Sequence, residues 1–402
     1  MRLFHIALMI LLGSQQALAA DRKADLAGLA YAGANDQATP VLLSAASRPV
    51  PFRGADGLIH LDYELQVTNA RPNAVRLASL EVLDGASGRV LATVSGANVK
   101  PAFSLIGGAA ADSLEPAQAG FFWIDVVIKP GQKIPKTLSH RVVTVAPEAR
   151  LNAPGVSSSA APVETTQTGG GATVSAKPSV LIGPPLEGRG WIAFNGCCTE
   201  APHRRAGIPV NGTLFVSQRF AIDWIRMDDH QQINNGDPTK NQNWPTYGLN
   251  AIAVADAKVA SVLDGLPERV ANALPTDTTM QNVTGNHVIL QLANGQYAFY
   301  AHLQPGSLKV RVGDRVKRGQ VLALLGNSGN TTGPHLHFHV SDGMGPLSSQ
   351  GLPYAIDAFK AIGVAQDVTD QGKVVFTPLP APGERRAALP MNGYIVDFPA
   401  RK

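Results

Sequence analysis

The feature that most constrains this chain is the run NTTGPHLHFHV, in which His335, His337 and His339 occupy alternate positions. Alternate side chains share a face in an extended strand, so the run calls for β-structure with three imidazoles side by side. Such a face can form part of a metal site. One strand cannot close a four-coordinate site, so further ligands have to come from elsewhere in the chain.

Composition agrees with a β fold. Of 402 residues, 45% are hydrophobic and only 16% charged, while Gly (40) and Pro (29) are plentiful, a mix that favours a turn-rich β protein over a helical one. The length calls for two or more domains, because single cores seldom grow beyond about 250–300 residues. The formal net charge of +4 suits anionic surroundings. No Lys/Arg run is interleaved with aromatics, which argues against nucleic-acid binding.

The N-terminus reads as an export signal over residues 1–19, with Arg2 as the charged start, an apolar run from Leu3 to Leu12 and an Ala17-Leu18-Ala19 cleavage site. The apolar run is short for a membrane span. The expectation is an exported chain, periplasmic or extracellular, with no transmembrane anchor after cleavage. From His60 the stretch LDYELQV alternates Leu61, Tyr63, Leu65 and Val67 as a half-buried strand. Further strands in VRLASLEVLDGASGRVLATVSG, GFFWIDVVIKPGQ and SHRVVTV predict an antiparallel Ig-like β-sandwich over 20–152, extending to 185 if ATVSAKPSVLIGPP is its last strand.

Residues 153–171, rich in Ser, Thr and Gly, read as a flexible linker or long loop. A second β-rich segment spans 186–345, with strands in AIAVADAKVASVLDG, NHVILQLANGQYAFYAHL and VRVGDRVKRGQVLALLG and an Asn-Gly hairpin signal in LANGQ. The remainder, 346–402, is expected to hold one short helix at 354–362 and otherwise to pack on or wrap the second domain. The two cysteines, Cys197 and Cys198, are adjacent. A vicinal disulfide, two buried thiols and a metal ligand are all open to them.

With cysteine so scarce, His, Asp and Glu are the ligand types to search. Seven of the ten histidines lie beyond residue 200, a concentration that structure alone does not require. His203, Asp223, His230, His287, His302, His335, His337 and His339 are the candidates. His287 and His230 read as structural or exposed, and His60 and His140 as isolated structural or surface residues.

The stretch GNSGNTTGPHLHF resembles the C-terminal signature of the lysostaphin/LytM-type zinc metallopeptidases. The resemblance extends back through YAHL, VRVGDRVKRGQVLALLG and AIDW, covering roughly 218–340. It implies an antiparallel LytM-type peptidase domain over 186–345, a bound Zn2+ and a peptidoglycan or peptide substrate. It also implies that Asp223 and His337 bind zinc and that His302 and His335 are catalytic. One position departs from the pattern. Four residues before Asp223, where the family usually has a ligand histidine, stands Arg219, and a guanidinium has no lone pair to offer.

His203 is the candidate replacement. HRRAGIPVNGTLFVSQRFAIDW reads as a hairpin about Asn211-Gly212. A three-residue loop Val210-Asn211-Gly212 would pair Pro209 with Thr213 and set His203 across from Arg219, on the ligand face. A two-residue Asn-Gly loop would instead set His203 opposite Phe220, on the other face. An exposed histidine in a basic HRR patch is the competing reading. Arg219 would pair with a substrate carboxylate or balance Asp223, and His339 would sit at the rim or behind a ligand. The polar loop from Asp228 to Tyr247 either borders the groove, offering Trp244 or Tyr247 to stack on substrate, or is a disordered insertion.

The fold class is therefore mainly β with little helix: a β-sandwich followed by an antiparallel peptidase sheet. The expected activity is exported, zinc-dependent endopeptidase cleavage of peptidoglycan stems or crossbridges, with His302 and His335 handling the proton because the glutamate of an H-E-x-x-H motif is absent. A wall-binding regulator with a dead site is the alternative that Arg219 raises. A third reading makes the sandwich the main working part.

Overall fold

The computed structural model describes residues 37–147, 161–198 and 201–400; the export signal expected over 1–19 lies outside the described residues. Strands dominate. The described helical residues amount to two 3-10 turns, Gly96–Asn98 and Asn241–Asn243, and one turn of α-helix, Val99–Ala102.

Two five-stranded sheets make the N-terminal sandwich. One runs Val41–Ala45, Ile59–Asn69, Ala119–Ile128, Phe103–Leu105; the other runs Pro162–Thr173, Thr137–Pro147, Val75–Asp84, Val90–Ser95. Alternation builds the core: Leu61, Tyr63, Leu65 and Val67 from one sheet meet Leu80, Val82 and Val142 from the other. Each such side chain stabilises the fold by about 1.5–3 kcal/mol on burial.

The expected linker is a strand where it is described. Pro162–Thr173 pairs antiparallel with Thr137–Pro147, with a register shift between Gly169 and Ala172. The β-branched Val163, Thr165, Thr166 and Thr168 suit an edge strand. At Gly170 (φ +60) an added Cβ would stand 2.9 Å from Leu65, so the glycines let the edge close over the core. Ile59–Asn69 also departs from expectation, being buried on both faces. Leu61, Tyr63 and Leu65 face the sandwich core, while His60, Asp62 and Glu64 are buried as well.

The second half is organised by a twelve-stranded sheet. Its central order is Tyr354–Val368, Tyr394–Phe398, Gly188–Phe194, Ile222–Arg226, Leu336–Ser341, Tyr297–Leu303, Asn286–Gln291, Ala257–Leu263. The short helix expected at 354–362 is instead the start of the Tyr354–Val368 strand, paired with Val374–Ala388. Short apolar runs fit either period, and here pairing across the turn at Gly372 decides. Tyr394–Phe398 then inserts between Tyr354–Val368 and Gly188–Phe194, so the tail completes the sheet rather than wrapping it. Trp224, Tyr300, Leu336, Phe338, Tyr354 and Phe398 share the core on one side, leaving the opposite face for the site.

Candidate metal centre and active site

Register places the first donors. Asp223 stands across from His337, which in turn stands across from Ala301 on the next strand, and side chains so paired share a face. His335 and His339 flank His337 at the two-residue period, while Leu336 and Phe338 between them and Val340 after them are fully buried in the core. A one-residue slip would exchange the two sets, so the apolar row locks the histidines outward.

His302 needs a different device. Plain alternation after Ala301 would turn it toward the core. Between Tyr297–Leu303 and Asn286–Gln291, however, the register shifts: Asn286 faces Leu303 while Val288 faces Tyr300, leaving one extra residue on the Tyr297–Leu303 side. That bulge contains His302 in a left-handed conformation (φ 63), and its ring lies 4.7 Å from that of His335 and 5.8 Å from that of His337. Bulges re-aim side chains in this way beside functional sites.

His203 joins the cluster, but not by the expected geometry. Ile208–Val210 pairs with Thr213–Phe215, setting Val210 opposite Thr213. The loop is therefore the two-residue Asn211-Gly212, both with positive φ (50 and 78), the type I′ signature. The three-residue register is overturned, and the ladder stops at Ile208, short of His203. A turn over 202–205 brings His203 in instead, with Nε2 3.4 Å from Asp223 Oδ2 and its ring 4.7 Å from that of His337.

The donor atoms are arranged around Asp223. Oδ1 lies 3.0 Å from His337 Nδ1 and 3.3 Å from His335 Nε2, and Oδ2 accepts a hydrogen bond from Asn195 Nδ2 at 2.8 Å. Burial alone would raise the Asp223 carboxyl; the imidazoles of His203 and His335, with hydrogen bonds from His335 and His337, outweigh it and hold the group well below the usual range. Burial pushes His203 down to about 4, against the pull of Asp223. Burial and the neighbouring His335 and His337 hold His302 well below its ordinary value, so it stays neutral. Burial also opposes charge on His335, but Asp223 beside it raises its pKa. His302 Nδ1 donates to Ser328 O at 2.7 Å and His335 Nδ1 to Gly333 O at 2.8 Å. In neutral His302 this bond leaves Nε2 as an acceptor, whereas His335 Nε2 faces the Asp223 carboxylate and donates to it.

The other candidates fall elsewhere. His339 stacks on Phe299 and lies behind His337, Nδ1 to Nε2 3.1 Å. Arg219 neither balances Asp223 nor faces the cleft: its guanidinium is buried against Glu64 of the sandwich. Trp244 is buried, donating Nε1–H to Pro238 O, and its ring is 2.9 Å from where a Cβ on Gly333 would be, so it supports the His335 loop from beneath. Tyr247 packs half-buried in the same cluster. Neither aromatic lines the cleft of about 330 Å3 over the histidines, whose walls include Leu274, Pro275, Val283 and Thr284. His287 is buried against Phe299, and His230 is exposed. Sequence reasoning missed Asn195, whose one signal is the following Gly196: Asn tolerates the left-handed turn (φ 55) that aims it at Asp223.

Cys197 and Cys198 form a vicinal disulfide. Among the described residues, three groups of potential ligands place donor atoms within 4.8 Å of one another: His203/Asp223/His337, His60/Asp125/Cys198 and Asp62/Cys197/Cys198. A disulfide sulfur is not a thiolate ligand, so the first is the group with a full donor set. His203 Nε2 lies 3.4 Å from Asp223 Oδ2 and His337 Nδ1 3.0 Å from Oδ1, so both imidazoles meet the one carboxylate, each at a different oxygen. Two imidazoles and a carboxylate fit a divalent zinc-type ion.

Residues 245–348 match the model of peptidase family M23. The matched stretch contains His302, His335 and His337 but begins after His203 and Asp223. Peptidoglycan DD-endopeptidase ShyC of Vibrio cholerae is 28% identical over 120 residues, 30% of this chain and 25% of the relative. Peptidoglycan DD-endopeptidase ShyA of the same organism is 43% identical over 56 residues, 14% of this chain and 13% of the relative. The chain thus spans a quarter or less of the length of these relatives. The catalytic domain of the antimicrobial peptidase lysostaphin from Staphylococcus simulans is a structural neighbour at 20% identity, covering 41% of this chain and 84% of that one, with a TM-score of 0.22. With that match and those relatives, the chain carries a peptidase family M23 domain.

Proposed function

We propose that this protein is an exported, zinc-dependent metalloendopeptidase that hydrolyses peptide bonds in peptidoglycan stems or crossbridges. The observation that carries the reading is the convergence of His203, Asp223 and His337 within 4.8 Å beside two further imidazoles, His302 and His335, in one cleft. His203, Asp223 and His337 would hold the ion, leaving the fourth position open. A zinc ion there would polarise the scissile carbonyl and bring the pKa of a bound water toward about 7.

The chain's own contribution is proton handling and position. His302, fixed by an Nδ1–H bond to Ser328 O, would present a free Nε2 to accept the proton of the attacking water, and His335, fixed by an Nδ1–H bond to Gly333 O and directing Nε2–H toward Asp223, would orient that water. His302 then returns the proton to the leaving amine, and the imidazolium stabilises the negative charge that develops on the carbonyl oxygen. His339 would orient the His337 ring through the bond at its Nε2. Asn195 would fix the rotamer of the Asp223 carboxylate. The peptidoglycan substrate and the exported location rest on the named activities of the relatives and on the leader-like N-terminus.

The test is metal content and cell-wall digestion of wild type, His203→Ala and His337→Ala. The reading expects about one zinc per chain and digestion in the wild type, with both lost in each variant. A wild type that binds wall polymer without zinc or digestion would instead establish the regulator. A His203→Ala protein that keeps zinc and full activity would remove His203 from the site.

A further inference from the structure

The turn that presents His203 is held by the sandwich more than by the peptidase sheet. Its internal backbone bonds are long, Arg205 N to Pro202 O 3.2 Å and Ala206 N to His203 O 3.3 Å. The short contacts come from the two arginines that follow His203. Arg204, 1% exposed, reaches Glu64 Oε1 at 2.8 Å. It also donates to Ile124 O at 3.0 Å, and its guanidinium lies 5.3 Å from the centre of the Trp123 ring. Arg205 donates to Pro101 O at 2.7 Å. All of these partners belong to the sandwich.

The same Glu64 carboxylate takes a second guanidinium. Arg219 makes a two-bond fork to it, Nε to Oε1 2.7 Å and Nη2 to Oε2 2.8 Å, and its Nη1 donates to Gly351 O at 2.7 Å. Arg219 leads into the Ile222–Arg226 strand that carries Asp223. Glu64 therefore joins the two segments that deliver His203 and Asp223, and the buried Asp62 beside it holds Arg204 as well, Nε to Oδ2 2.8 Å. Both ties are charge-assisted and shielded from water, so they resist displacement.

We propose that Glu64 of the sandwich is a positioning residue of the metal centre, acting through Arg204 on His203 and through Arg219 on Asp223, so that tight metal binding depends on the docked sandwich. The inference rests on reading His203 as a ligand. It also gives Arg219 a role: where a ligand histidine would stand, this chain has a docking post for the neighbouring domain. Support of this kind orients ligands, and its loss typically weakens a metal site about 10–100-fold.

The experiment is zinc affinity by chelator competition on the full chain, with the visible absorption of the Co2+-substituted protein as a second readout. The variants are Glu64→Gln, Arg204→Lys and the control Glu81→Gln, which removes the Arg141–Glu81 pair on the other sheet. Arg204→Lys keeps the buried charge while losing the planar guanidinium that reaches Glu64 and Ile124 O at once, so it stays informative if Glu64→Gln fails to fold. The expected result is zinc binding weakened tenfold or more in Arg204→Lys and in any folded Glu64→Gln, with altered cobalt bands, and unchanged in Glu81→Gln. Wild-type affinity and cobalt spectrum in folded Arg204→Lys would overturn the proposal, as would an equal loss in Glu81→Gln. Retention of zinc by His203→Ala would refute the underlying ligand reading instead.

Discussion

Replacing Gly285 with Ala should disable His302 while leaving the metal in place. Gly285 has φ +60, and an added Cβ would sit 2.1 Å from Ser328 O and 2.5 Å from Ser328 C. Ser328 O accepts the Nδ1–H of His302 at 2.7 Å. Ser328 cannot easily give way, since it is fully buried and its hydroxyl is bonded to Leu303 O and Asn286 N at 2.8 and 2.9 Å. Relief to ordinary contact needs a shift on the order of 1 Å, which stretches the His302 bond beyond its useful range of about 3.2 Å. The ring then loses both its tautomer and its aim. A misplacement of ~1 Å can cost about 100-fold in rate. Stability should fall by about 2–5 kcal/mol, the sum of a left-handed alanine and an overpacked contact. The assay is kcat on a wall-derived peptide alongside zinc content and thermal unfolding. A kcat within about twofold of wild type, set against that expected loss, would refute the reasoning. So would loss of zinc, because Gly285 touches no ligand.

Trp244→Ala removes the support beneath Gly333 and should cost about 3–5 kcal/mol of stability with a lower kcat; a rise in KM alone, with stability unchanged, would mean that the ring contacts substrate after all. His60 should give the sandwich a pH-dependent stability. Burial disfavours its charge, but the carboxylates of Asp125 and Asp56 overcome this and raise its pKa to about 10. Its contribution is then complete below the unfolded value near 6.5 and is lost as pH rises through about 10. The gap in unfolding free energy between wild type and His60→Gln, measured in urea, should shrink across that window, and a gap that stays flat would contradict the pairing. Ending the chain at residue 345 removes Tyr354 and Phe398, which pack on Phe338 and Trp224 at ring separations of 5.3 and 5.2 Å. The shortened protein should lose cooperative unfolding, whereas a dispensable tail would leave the transition unchanged.

Much of the fold is legible because its strands carry their own periodicity. Leu61, Tyr63, Leu65 and Val67 announce the sandwich core, and His335, His337 and His339 announce a face lined with imidazoles. What escapes is whatever depends on a distant partner. Asp62 and Glu64 look like the wet side of a half-buried strand, yet both are buried, Glu64 against Arg219, 155 residues away. No local pattern marks such a pairing. The Pro162–Thr173 strand hides behind three glycines, and the Tyr354–Val368 strand behind alanines that suit a helix equally well. In both cases the paired neighbour decides.

The site divides along the same line. Asp223 and His337 belong to paired strands, so a face argument is enough to bring them together. His302 belongs to a bulge, which shifts the period by one and defeats that argument; its residue type made it a candidate, and the resemblance to known peptidases gave it a role. His203 is the instructive case. The hairpin register that was to carry it toward Arg219 is not the one formed, because Asn211-Gly212 closes a two-residue loop. Had the ladder continued to residue 203, alternation would have turned the imidazole away. It stops at Ile208, and the chain is free to turn. Arg204 and Arg205 then anchor that turn to the sandwich, setting His203 3.4 Å from Asp223. The adjacent arginines that could pass for a basic surface patch are what put the histidine in place, one of them buried and both bonded to the other domain.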